Sequence, residues 1–189
     1  MDLWVWIVIA VVVILIVAII AWFIVCHNEF IRLKNNVEEA FSTMDICMKK
    51  RYDLIPNVVE TVKGYAKHEK ETLSQVIAAR NMAVNANNTQ EKSQAEANLN
   101  SSIKSLMAVV EQYPNLKADA NFTSLQNQLT SLEVEIANSR RYYNACVKTF
   151  NNKVLMFPSN IVARRYKFEK QPSFEVDSPE ERKNVKVEF

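Results

Sequence analysis

One glycine, Gly64, stands in 189 residues, and that scarcity limits the folds open to the chain. Glycine normally supplies the positive-φ positions of tight turns, bulges and phosphate-cradling loops. A chain almost without it has few means of building hairpins, so the sequence predicts an all-α protein. Formal charges nearly balance at +2, and Lys and Arg alternate with Asp and Glu from Arg32 onward. No basic stripe is left for phosphate neutralisation, and no nucleic-acid partner is expected. The three cysteines, Cys26, Cys47 and Cys146, have neither C-x-x-C spacing nor a histidine cluster beside them. They read as small apolar side chains kept reduced, not as a disulfide framework or zinc site.

The segment LWVWIVIAVVVILIVAIIAWFIV, Leu3 to Val25, holds about 23 residues without a charge, the length that crosses a ~30 Å hydrocarbon core as a helix. Trp4 and Trp6 at one end and Trp22 at the other suit the two headgroup boundaries, with Leu3 and Val25 closing the span. Only Met1 and Asp2 precede it, without the positive start of a cleavable signal peptide, so retention as a membrane anchor is expected. Arg32, Lys34, Lys49, Lys50 and Arg51 follow it. The positive-inside rule then predicts a single-pass membrane protein, N-terminus outside and the large domain in the cytoplasm. Neither glycine nor proline separates Val25 from Phe30, so the membrane helix is expected to continue into the domain.

Beyond the membrane, apolar residues recur in steps of three or four at Phe30, Leu33, Val37, Phe41, Met44, Met48, Tyr52, Ile55, Val59, Val62 and Ala66, one buried helical face. A second segment carries Leu73, Val76, Ile77 and Val84 and fades into the polar loop Asn85 to Gln90. A third runs through Ala95, Leu99, Ile103, Leu106, Val110 and Tyr113 to Pro114. The last shows Phe122, Leu125, Leu129, Leu132, Ile136, Tyr143, Val147, Phe150 and Val154, ending at Phe157 to Ser159. A helix unbroken from Phe30 to Val84 would reach about 80 Å, so a turn is placed near Lys67 to Lys70, with a continuous rod as the alternative. The expected architecture is a transmembrane helix (1–27) continuing into an antiparallel up-and-down four-helix bundle (28–158), with an extended C-terminal tail (159–189). Pro56 falls inside the first helix. It removes the hydrogen bond to the Tyr52 carbonyl at a typical cost of ~3 kcal/mol, yet the stripe keeps its phase across it, which predicts a kink within a packed helix and not a loop.

Chemistry is less legible. His68 and Glu69 lack the second histidine of an H-E-x-x-H site, and Gly64 lacks phosphate-loop spacing, so Gly64 reads as a place where another helix comes close. Arg51, Asp53, Asn57 and Glu60 form the most informative polar set. Asp53, Asn57 and Glu60 flank the apolar stripe, whereas Arg51 lies in it and must snorkel or find a carboxylate. Together with Arg140, Tyr143 and Asn144 of the last helix they read either as a structural network or as a docking surface. No catalytic residue, metal ligand or cofactor site can be nominated, and no enzymatic activity is expected. In the tail, Val185, Val187 and Phe189 alternate with Lys186 and Glu188, a period of two that suits strand addition to a partner.

The stretches FIRLKNNVEEAFSTMD (Phe30 to Asp45), KKRYDLIPNVVETVKGYAKHE (Lys49 to Glu69), YPNLKADANFTSLQNQL (Tyr113 to Leu129) and SRRYYNACVKTFNNKVLMFP (Ser139 to Pro158) together resemble the LemA family of bacterial membrane proteins. The resemblance implies a four-helix bundle behind one N-terminal membrane helix, with no established molecular activity. It also implies ties of some members to membrane remodelling or organelle formation. Phe41 stands where the family usually has Trp, His27 where Tyr is usual, and Lys167 where Gly is common. The last departure bears on the backbone turn after the bundle. The expected function is a membrane-anchored scaffold, self-associating or holding a protein partner at the bilayer. The alternative is an adaptor of another membrane machine such as a protease, or a remodelling factor.

Overall fold

The computed structural model describes residues 3–175. Six helices follow one another: α1 Leu3–Tyr65, α2 Lys70–Asn85, α3 Thr89–Val110, α4 Pro114–Lys117, α5 Ala120–Leu155 and α6 Ser159–Tyr166. There is no strand among the described residues. The apolar run and the first amphipathic stripe belong to one helix, α1, which passes through Pro56 without interruption. It is also the one helix among the described residues long and apolar enough to cross a membrane.

Local chemistry sets the helix ends. α1 stops at Tyr65 and α2 starts at Lys70, where the length argument places a turn. Asn88 caps α3 by accepting the Glu91 N–H at 2.8 Å, while the Glu91 carboxylate reaches back to the Asn87 N–H at 3.2 Å, a variant of the capping box. Asp119 does the same for α5, accepting the Phe122 N–H at 2.8 Å and the Tyr65 hydroxyl at 2.9 Å. These two bonds hold the Asp119 carboxyl below its ordinary range, the Phe122 amide being the larger cause.

The described chain divides into two compact units, one of residues 3–40 with Ala145–Gln171 and one of Phe41–Asn144 with residues 172–175. In the first, Phe30 stacks on Phe168 with ring centres 4.8 Å apart, and Phe150 meets Phe30 edge-on at 6.2 Å. Lys153 pairs with Glu29 beside them. In the second, the core comprises Met44, Met48, Ile55, Val59 and Val62 of α1, Leu73 and Val76 of α2, Leu99, Ile103 and Leu106 of α3, and Phe122, Leu129 and Ile136 of α5. Of the stripe predicted for α1, only Leu33 and Phe41 are half-buried and not buried.

Three expectations change. Val84 is exposed, and the buried line of α2 runs Leu73, Val76, Ala79 and Ala83, because Ala83 holds the phase seven residues beyond Val76. Gly64 admits no close neighbour, since a Cβ built there would meet nothing within 4 Å. The tail is not extended from residue 159: Ser159–Tyr166 forms α6, which buries Val162 and Ala163. Its end is a Schellman motif, with Phe168 N–H on the Ala163 carbonyl at 2.9 Å and Lys167 N–H on the Arg164 carbonyl at 3.4 Å.

Residues 171–175 lie outside any helix, and Gln171 and Phe174 are held by asparagines of α5. Asn151 accepts the Gln171 N–H at 2.8 Å and donates to the Gln171 carbonyl at 2.9 Å. Asn144 accepts the Phe174 N–H at 2.8 Å and donates to its carbonyl at 3.1 Å. Each amide thus satisfies both backbone groups of one residue, as a neighbouring strand would. Val185, Val187 and Phe189 lie outside the described residues.

The Schellman motif places Lys167 at φ 57°, ψ 39°, the left-handed region that costs a side-chain-bearing residue roughly 1–2 kcal/mol. Lys167→Gly is therefore expected to stabilise the protein by about 1 kcal/mol, and Gly64→Ala, in open helical space, by about 0.5–1 kcal/mol. Thermal melting of the two variants checks this. A lower midpoint for Lys167→Gly would show that the left-handed turn is not the resting conformation.

Candidate functional site

Arg51 is reached by the alternation of the α1 stripe, three residues after Met48 and four before Ile55, and its side chain has no exposed surface. One terminal nitrogen donates to Glu96 of α3, and the other to Glu133 of α5 and to Asn100 Oδ1, the last at 2.7 Å. Its Nε is buried without a partner among the described residues. The second oxygen of Glu96, a residue with 2% exposure, accepts the Tyr52 hydroxyl. Burial by itself would depress the Arg51 guanidinium, but Glu96 and then Glu133 outweigh it and hold the group above its usual range. Arg51 is a fixed positive charge. Burial first, and then the Glu96 charge, push the Tyr52 phenol far above its usual value, so it remains a donor.

Pro56 completes this arrangement from the backbone side. Lacking an N–H, it leaves the Tyr52 carbonyl without its helical donor. Arg80 Nε of α2 donates to that carbonyl at 3.1 Å. The proline thus turns a bond internal to α1 into a bond between two helices. Around the centre, Lys92 pairs with Asp45 and lies over the Phe41 ring at 5.7 Å, and Phe41 in turn meets Tyr143 edge-on at 5.7 Å.

The other polar residues picked out from the sequence are not gathered here. Asp53 is exposed, 4.0 Å from Arg80. Glu60 is exposed and pairs with Lys63 at 3.0 Å. Arg140 is half-buried. Asp53 and Asn57 line a shallow groove of about 450 Å³ with Lys50, Leu54, Gln128, Ser131, Leu132 and Glu135. Tyr143, through its hydroxyl on the Pro172 carbonyl at 2.9 Å, and Asn144, through Phe174, hold the segment that follows α6. His68 is exposed at the turn after α1. No group of three His, Cys, Asp or Glu side chains among the described residues is placed to hold a metal ion. Chemically, the centre can fix helix register by charge and hydrogen bonding.

A family model matches residues 40–189, and its description is the LemA family. The chain belongs to the LemA family. Among its relatives is Protein LemA of Metamycoplasma hominis, 30% identical over 142 residues, which cover 73% of this chain and 64% of the relative. Magnetosome protein MamQ 2 of Paramagnetospirillum magneticum is 24% identical over 174 residues, and Magnetosome protein MamQ of Magnetospirillum gryphiswaldense is 22% identical over 173 residues. Each of these alignments covers 78% of this chain and 64% of the relative. The chain thus spans a little under two thirds of the length of these curated relatives. Within this LemA-family chain, the Arg51, Tyr52 and Pro56 cluster belongs to the stretch KKRYDLIPNVVE that carries part of the resemblance.

The sequence pointed to Arg51 but not to its partners Glu96 and Glu133, nor to Arg80. A signal for them exists. Glu96 lies three residues before Leu99, Glu133 four after Leu129 and three before Ile136, and Arg80 four after Val76. Each charge is in phase with the apolar stripe of its own helix, where a charge survives only if paired.

The Pro56 and Arg80 arrangement makes a specific expectation for a double-mutant cycle. Arg80→Met should cost about 1 kcal/mol, because it removes the donor of a half-buried carbonyl. The same change in a Pro56→Ala background should cost much less, because the backbone N–H restored by the alanine can reach the Tyr52 carbonyl. Chemical denaturation of the four proteins measures the coupling, and strictly additive effects would remove Arg80 from this role.

Proposed function

We propose that the chain is a membrane-anchored scaffold. In this reading α1 crosses the inner membrane of a bacterial cell through residues 3–25, with its start outside. Residues 41–144 form an antiparallel up-and-down four-helix bundle in the cytoplasm that self-associates at the membrane face. The observation that carries the reading is that one helix, α1, contains both the apolar run and the side chains at the centre of the helical unit. Anchor and core are then one element. The basic residues after Val25 support the orientation.

Partner order supports the bundle. From Asp45–Lys92 to Arg51–Glu96, numbering rises together on α1 and α3. From Phe41–Tyr143 through Arg51–Glu133 to Tyr65–Asp119, it rises on α1 as it falls on α5. Parallel first and third helices with an antiparallel fourth are what up-and-down connectivity gives. The most buried polar groups engage one another, which favours a structural over a catalytic role, and the magnetosome naming of the MamQ relatives fits such a role. The groove at Asp53 and Asn57 favours a second reading, an adaptor that docks another membrane protein.

Gentle extraction of the full chain with its lipid, followed by particle mass and composition, separates the readings. The scaffold predicts a multi-copy particle of this chain alone. A stoichiometric second protein would support the adaptor, and a monomer without partner would contradict both.

A further inference from the structure

The corner between α5 and α6 carries apolar side chains that a water-facing turn would not. Leu155, Met156, Phe157 and Ile161 are 55%, 62%, 78% and 52% exposed. Their position is fixed by contacts inside their own unit. Met156 and Phe157 line a cleft of about 400 Å³ together with Trp22 and Val25. The Tyr166 ring lies 6.0 Å from that of Phe23 and 4.2 Å from that of His27, centre to centre. Trp22 to Val25 are the last residues of the apolar run, so whatever touches them sits at the edge of the bilayer.

Charge follows the same geometry. Arg164, Arg165, Lys167 and Lys170 are all exposed, and Glu169 is the one carboxylate between residues 155 and 170. α6 turns Val162 and Ala163 into the protein, leaving Ile161 and Tyr166 outward with the arginines. Apolar side chains at acyl depth, with arginine and lysine beside them at headgroup depth, are the make-up of an interfacial membrane anchor. Clustered basic residues there attract anionic lipid.

We propose that this corner is a second, non-spanning membrane contact. Met156 and Phe157 enter the bilayer interface beside α1, and Arg164 and Arg165 bind anionic headgroups. The exposed apolar surface of the corner is continuous with the lipid-facing surface of α1, which identifies its occupant as the bilayer. The inference rests on the reading of α1 as membrane-spanning. It adds that the chain takes up extra area in one leaflet and is fixed in rotation about the membrane normal, which one helix alone would not achieve.

The test is photo-crosslinking of the full chain in vesicles of phosphatidylcholine mixed with phosphatidylglycerol. Benzoylphenylalanine is placed at Phe157, at Ile14 within the span, and at exposed Ser74 of α2 as a water-facing control. Adducts are identified by mass. Lipid adducts at positions 157 and 14 but not 74 are expected. Those at 157 should be several-fold enriched in phosphatidylglycerol, and Arg164→Gln with Arg165→Gln should remove the enrichment but not the adduct. Lipid at 14 with none at 157, or with a second copy of the chain captured at 157, would overturn the proposal while leaving the anchor in place. Absence of lipid at 14 would overturn the anchor and the proposal together. Equal capture of the two lipids at 157 would overturn the headgroup assignment.

Discussion

A guanidinium with no access to water is costly unless every charge around it is matched, and Arg51 concentrates that requirement at one point of the helical unit. Its partners come from α3 and α5, and its neighbour Tyr52 engages both Glu96 and Arg80 of α2. Four helical segments therefore meet at two adjacent residues. Buried ion pairs of this kind are weak sources of net stability. Their effect is discrimination, because sliding α1 or α3 by a turn would part Arg51 from Glu96 and leave a charge unpaired in an apolar core, a loss of several kcal/mol. Methionine, leucine and valine around the centre supply the burial and tolerate many registers. The charges select one.

Pro56 acts in the same sense. A proline inside a helix normally weakens it, but here the carbonyl it releases is Tyr52's, on the residue that also reaches Glu96. Arg80 takes up that carbonyl, so the backbone defect becomes an inter-helix bond. The bond between α2 and α1 seen in the structure follows from one missing N–H.

Much of this was legible in the sequence and some was not, for physical reasons. Apolar periodicity located α1, α2, α3 and α5, because burial of a face is repeated many times along a helix. Ala83 replaced Val84 on the buried face because a single apolar residue near a helix end carries little weight against phase. α6 was missed because eight residues after a proline offer only about two turns of pattern, and its left-handed end falls on a lysine where glycine would have signalled it. At the site, Arg51 was visible as a charge in the wrong phase. Its carboxylates could have been found by asking the same question of every helix. The two asparagines of α5 were visible only in part: Asn144 was singled out, but Asn151 seven residues later, on the same face, was not joined to it.

The same charge logic applies to each unit taken by itself. Arg51 is shared between the carboxylates Glu96 and Glu133, whereas the basic residues of α6 are exposed and are the ones proposed to meet headgroups. The central claim is that Arg51 holds the four segments in one cooperative unit. Residue-resolved hydrogen exchange on the full chain and on Arg51→Lys tests it, because lysine keeps the charge but cannot span two carboxylates and an asparagine at once. Protection should fall together in residues 41–65, 70–85, 89–110 and 120–144. A loss confined to the turn of α1 around residue 51, with the other three segments unchanged, would contradict it.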